Sequence, residues 1–154
     1  GGTACAVYEG TATSNACLKD WFSVGTPVTL ADLKIKKDEE KIKGRLRLAY
    51  QCPEQEGGPC GRTFEDAFIL ANASKFGLTG ETVKDLEIAA QDIACKHKKS
   101  NFALYYAIED AEWDSPKYIL DGIGWLATDE ITTISSFTDR ELSAGSHTTG
   151  DANA

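Results

Sequence analysis

The stretch CPEQEGGPCG, residues 52–61, divides the chain into two halves of different character. Its prolines and glycines force a loop, because proline cannot donate to a ladder and glycine carries no conformational bias. Before the loop the pattern offers two strands. TACAVY (3–8) is partly β-branched and bounded by glycines, and RLRLAYQ (45–51) alternates arginine with leucine in the period of a half-buried strand. Between them Ser14 or Asn15 can cap a short helix through Ala16, Leu18 and Phe22. Residues 24–44 read as a charged connection with at most one helical turn around Leu30–Leu33.

After the loop the spacing becomes helical. Phe64, Ala67, Phe68 and Ala71 recur at i, i+3, i+4 and i+7, behind Thr63 as N-cap with Asp66 three residues on. A second helix carries Val83, Leu86, Ala90, Ile93 and Ala94, with Thr79 or Gly80 near its start. A third opens at Ser100. A fourth is announced by Ser115 as N-cap and Pro116 at the first helical position, with Ile119, Gly122, Ile123 and Leu126 as its face. From residue 128 onward TDEITTISSFTDRELSAGSHTTGDANA has few apolar residues and no sustained period, and is expected to be a disordered tail. The fold expected over residues 1–127 is therefore α/β, with several helices on a sheet of only two strands. Two strands make a marginal sheet, so the domain is expected to be incomplete.

With 154 residues, 42% of them hydrophobic, the chain is long enough for one domain with a core. No apolar run reaches the length of a membrane span. GGTACAVYEG lacks the basic and apolar regions of a secretory signal. The five cysteines (Cys5, Cys17, Cys52, Cys60 and Cys95) are scattered and odd in number, which suits reduced thiols in a cytoplasm. A net charge of −8 argues against a basic-patch nucleic-acid binder. Two local basic runs stand out, one from Lys34 to Arg47 and one at Lys96–Lys99. Each has an ordinary reading, as a solvated face and as a basic helix C-terminus respectively.

Three groups could carry chemistry. Glu65 projects from the first turn of the helix that Asp66 closes, where a carboxylate gains from the helix dipole or serves as a hard oxygen ligand. Lys98 or Lys99, ahead of the next capped helix, could stabilise charge in a phosphoryl transition state. Cys52, Cys60, Cys95 and His97 contain the residue types of a Cys3His zinc site, but their spacings fit no common zinc module. The sequence has no Asp-x-Asp near a strand end, no P-loop, no dinucleotide glycine motif and no His-Glu-x-x-His. Both histidines, His97 and His147, lie in settings that suit no catalytic triad.

Taken together, GTATSNACLKDWF, LRLAYQCPEQEGGPCGRTFEDAFILAN and KKSNFALYYAIE…WDSPKYILDGIGWLA resemble the C-terminal Toprim region of OLD-family (overcoming lysogenization defect) nucleases. In these an ABC-type ATPase precedes a Toprim nuclease domain. The resemblance spans roughly residues 3–127 and rests most on the "AYQ", "GR[ST]FEDAF" and "KK[ST][ND]FAL" blocks, in that order. It implies a metal-dependent DNA endonuclease of the two-metal type, with Mg²⁺ or Mn²⁺ as cofactor and ATP acting only through an ATPase domain absent here. Thr63 and Glu65 match the family's metal-site positions, and Lys99, with Lys98 as alternative, matches its catalytic lysine. The implied partners are DNA, the ATPase domain or remaining Toprim segment, and a second copy in a full-length homodimer, with no membrane.

The family's first-strand glutamate and its Asp-x-Asp lie ahead of the segment that resembles GGTACAVYEG. The chain is thus expected to be the C-terminal part of a longer protein, or half of a split one, inactive alone. A different class also fits the resemblance: a non-catalytic, Toprim-like interaction or scaffold domain.

Overall fold

The computed structural model describes residues 7, 10–22, 26–110 and 112–128. The strand expected over 3–8 falls outside these residues apart from Val7, as does the tail beyond Thr128. Over these residues the chain is a mixed α/β fold that is mostly helical, with one two-stranded sheet. Among the described residues no helix is long and apolar enough to cross a membrane.

Helix α1 spans Ala16–Phe22 and is capped by Asn15, whose Oδ1 accepts the Leu18 N–H at 3.1 Å. Residues 26–44 hold more structure than their charge suggests. Thr29 and Asp32 form a complete capping box on helix α2, Leu30–Lys34, and a 3-10 turn follows at Asp38–Lys41. Strand β1 (Ile42–Lys43) then turns through Gly44, at φ +59°, into β2 (Leu46–Arg47), with Ile42 opposite Arg47 and Lys43 opposite Leu46. A left-handed first turn residue suits a tight hairpin, and glycine supplies it without strain.

The strand expected over 45–51 is thus only Leu46–Arg47, and its faces are reversed. Leu46 is 66% exposed, while the Arg47 side chain is tucked in to meet Asp38 at 3.2 Å. The pairing with Asp38 overrides the hydrophobic alternation. Leu48 and Tyr50, just beyond the strand, do turn inward, packing with Phe22 and Leu30 against Leu18, Val28 and Leu33 in a small core.

The larger core belongs to the helices after the loop. Helix α3, Phe64–Ala71, buries Ala67, Phe68, Ile69 and Leu70, so its contact surface is wider than one stripe, while Phe64 stays at 38% exposure. It packs on α4, Val83–Cys95, and on Phe102 of α5, Lys99–Ile108. The cap of α4 is Thr82 in a box with Asp85, beyond the start expected near Thr79 or Gly80. Helix α5 starts at Lys99 behind Lys98, without a side-chain cap, so Ser100 lies inside the first turn. Phe68 is the hub of the core, its ring 4.9–5.4 Å from those of Tyr106, Trp113 and Phe102.

Asn72 closes α3 from within the core. Its amide donates to the carbonyls of Phe68 and Asp114, both at 2.8 Å, and its Oδ1 accepts the Asp114 N–H at 2.7 Å. The last helix, α6 (117–128), follows a fully buried Pro116. Its first N–H, from Lys117, goes to the Glu54 carboxylate at 3.1 and 3.2 Å, so the loop of residues 52–61 supplies the cap expected of Ser115. The apolar face expected on α6 is half open: Ile119 is partly covered, but Ile123 and Leu126 are 60% and 59% exposed.

Candidate functional site

The site is built around the start of α3. The chain reaches it from Cys60 through Gly61, where an added Cβ would lie 2.6 Å from the Ala67 Cα, so only glycine lets the loop lie against the helix. Thr63 then adopts extended backbone angles. Its hydroxyl accepts the Asp66 N–H at 3.3 Å, and Asp66 Oδ2 accepts the N–H groups of Thr63 and Arg62 at 3.2 and 3.3 Å. Asp66 is buried and committed to this cap.

Glu65 is not committed in that way. Its side chain is 12% exposed, and its cationic contact is Lys99 Nζ at 3.7 Å, from a side chain that is 76% exposed. The two candidate residues from separate blocks of the sequence therefore meet at the first turns of α3 and α5. Lys98 stands one residue earlier, exposed, at the N-cap. Burial by itself would raise the Glu65 carboxyl. Hydrogen bonds from its own N–H and the Thr63 hydroxyl, with the Lys99 charge, outweigh burial and hold it below the ordinary carboxylate range. Glu65 is thus a largely desolvated anion with a loosely held counter-charge, a pattern that active sites share with some structural ion pairs.

Beside Thr63 opens a cleft of about 1100 Å³, whose polar walls include Asn15, Lys34, Gln51, Arg62 and Tyr118. No aspartate or glutamate is among the described residues that line it, although the chain carries 24 of them. The Tyr118 hydroxyl is pushed up by burial and by the nearby Glu65 and Cys52 charges, against a hydrogen bond with Gln51. Tyr118, Arg62 and Gln51 were not among the residues singled out from sequence. Gln51 and Arg62 stand within the blocks that carry the resemblance and Tyr118 within its last segment, but only the fold brings them to one cleft.

The basic run from Lys34 to Arg47 does not form a free cationic patch. Lys36 pairs with Glu40 at 2.7 Å, and Lys41 and Arg47 both reach Asp38. Lys43 lies over the Trp21 ring at 4.6 Å, and Lys34 reaches Glu87. These charges hold the hairpin and its surroundings together.

Thr63 and Glu65 have the right donor type for Mg²⁺ or Mn²⁺, hard oxygens, but they are too few. No group of three or more His, Cys, Asp or Glu side chains able to hold a metal occurs among the described residues. The same holds for Cys52, Cys60, Cys95 and His97, which form no such group. Cys60 is buried and its thiol is pushed up to about 12, chiefly by desolvation, so it is poorly suited to ligation as a thiolate. Comparison with family models, with curated proteins and with solved structures gives no match to this chain.

Proposed function

We propose that this chain supplies one part of a Toprim-type, metal-dependent DNA endonuclease site of the OLD kind. Thr63 and Glu65 would offer oxygen ligands, and Lys99 would neutralise charge on the scissile phosphate. The observation that carries the proposal is the meeting of Glu65 and Lys99 at 3.7 Å beside Thr63. The cleft gives support, since its described lining carries no carboxylate to repel a polyanion in a chain of net charge −8. One carboxylate does not hold two metals, so the remaining carboxylates belong to a Toprim segment outside the described residues. On this reading the chain alone does not cleave DNA.

The test is nicking of supercoiled DNA with Mg²⁺ or Mn²⁺ by a protein that joins this chain to the remaining Toprim segment and the ATPase. Glu65→Ala is expected to abolish nicking with the fold intact. Lys99→Ala is expected to lower the rate by about 10²-fold or more while metal binding persists. Wild-type nicking by Glu65→Ala removes Glu65 from the site, and an unchanged rate in Lys99→Ala moves the role to Lys98 or discards it.

A second reading, a non-catalytic Toprim-like interaction domain, is favoured by the open apolar faces of α5 (Leu104 and Ile108) and α6 (Ile123 and Leu126). It predicts partner binding that survives Glu65→Ala, with no metal-dependent nicking in any assembly.

A further inference from the structure

We infer that Glu87 is a positioning residue for the Thr63–Glu65 site, an inference that rests on the proposed role of those two residues. Glu87 lies on α4, and its side chain is only 2% exposed. Its Oε1 accepts the Cys60 N–H at 3.0 Å and the Lys34 ammonium at 3.4 Å. A buried carboxylate is costly, and the ion pair with the partly exposed Lys34 offsets only part of that cost. An apolar residue of similar volume would fill that buried position at least as well. What it could not do is accept the amide of Cys60, which lies in a loop with no helix or strand to take that N–H.

The consequence runs along four residues. Cys60 is held by Glu87, Gly61 lies against Ala67, and the N–H groups of Arg62 and Thr63 are held by Asp66. Two buried carboxylates, one from each of two packed helices, thus fix the approach to α3 from both ends. Glu65 projects immediately beyond the fixed segment. Lys34, which meets the same Oε1 atom, lines the cleft, so the same carboxylate ties the cleft wall to the site.

The test compares Glu87→Gln, which keeps an oxygen acceptor for the Cys60 amide, with Glu87→Met, which removes it. The readouts are amide exchange at Cys60 and the NMR resonances of Thr63 and the Glu65 carboxyl in the 154-residue chain. Glu87→Met is expected to accelerate exchange at Cys60 by about tenfold or more and to shift the Thr63 and Glu65 signals. Glu87→Gln is expected to restore both. Unchanged Thr63 and Glu65 signals in a folded Glu87→Met chain overturn the inference, and so do equal shifts in the two variants. If Glu87→Met does not fold, the wild-type and Glu87→Gln chains decide: Cys60 exchange at the rate of an unstructured peptide in the wild type, or Thr63 and Glu65 signals that move in Glu87→Gln while Cys60 stays protected, overturns it, and protection kept with unmoved signals upholds it. None of these readouts involves cleavage, so they can fail while the nuclease reading stands, and the reverse.

Discussion

Glu65 and Asp66 are adjacent acids at one helix start, and the structure assigns them opposite economies, which a pair of substitutions can separate. In Asp66→Ala the N–H groups of Arg62 and Thr63 lose their acceptor, and α3 loses a carboxylate in its first turn. Both amides sit near the surface, so each costs about 1 kcal/mol, the low end for an orphaned donor. Loss of the favourable charge at the helix N-terminus adds about 0.5 kcal/mol. The expected destabilisation is about 2–3 kcal/mol, or a fall of about 10 °C in Tm for a domain of this size.

Glu65→Gln removes an ion pair whose lysine is 76% exposed, and the amide oxygen can still accept from Thr63 and its own N–H. That change is expected to move stability by no more than about 0.5 kcal/mol in either direction. Thermal unfolding of the two variants, followed by circular dichroism, checks the contrast. Equal losses in both variants would refute the division of labour, because Glu65 would then be a folding residue like its neighbour.

Asn72→Ala should cost about 2 kcal/mol in chemical denaturation, since the N–H and C=O of Asp114 lose their partner while the Phe68 carbonyl keeps the Asn72 backbone N–H; a loss under about 1 kcal/mol would mean that water replaces the amide. In the native chain, iodoacetamide should label the exposed Cys17 and Cys95 well before the buried Cys60, read by peptide mass mapping. Comparable labelling of Cys60 would show that the loop of residues 52–61 opens readily.

Stability should also fall in acid. Burial acts to raise the Asp38 carboxyl, but Arg47 and Lys41 outweigh it and hold it low, as Thr63 and Lys99 help to do for Glu65. Groups held low contribute stability that is fully present above their unfolded values, about 4, and is lost as pH drops through the folded ones. A Tm that stays flat down to about pH 3 would contradict this.

The start of α3 was readable because a capping box is a local device: Thr63, Asp66 and the apolar run after them lie within one short window. The same chemistry at Thr29–Asp32 and Thr82–Asp85 was as readable in principle, but the surrounding charge and the competing Thr79 and Gly80 obscured it. The hairpin failed for another reason. Alternation in RLRLAYQ promised buried leucines, whereas the Arg47–Asp38 pair, made across the turn, decides which face is inward. Glu54 as the cap of α6 and Glu87 as the anchor of Cys60 are long-range contacts that no local pattern encodes. One sign of Glu87 was present: it is a charged residue beside the apolar stripe of Val83, Leu86 and Ala90. For the site, the resemblance pointed to Glu65 and Lys99 separately, and only the packing of α3 and α5 brings them together.

The central claim is that Thr63 and Glu65 contribute to a divalent-metal site, and weak binding by this chain alone is enough to test it. The direct measurement is paramagnetic broadening of backbone amide resonances during a Mn²⁺ titration of the 154-residue chain. The account predicts that the amides of Thr63, Phe64 and Glu65 broaden first, and that Glu65→Gln removes this preference. Broadening confined to exposed acids elsewhere, such as Asp20 and Glu39, or a pattern unchanged in Glu65→Gln, would contradict it.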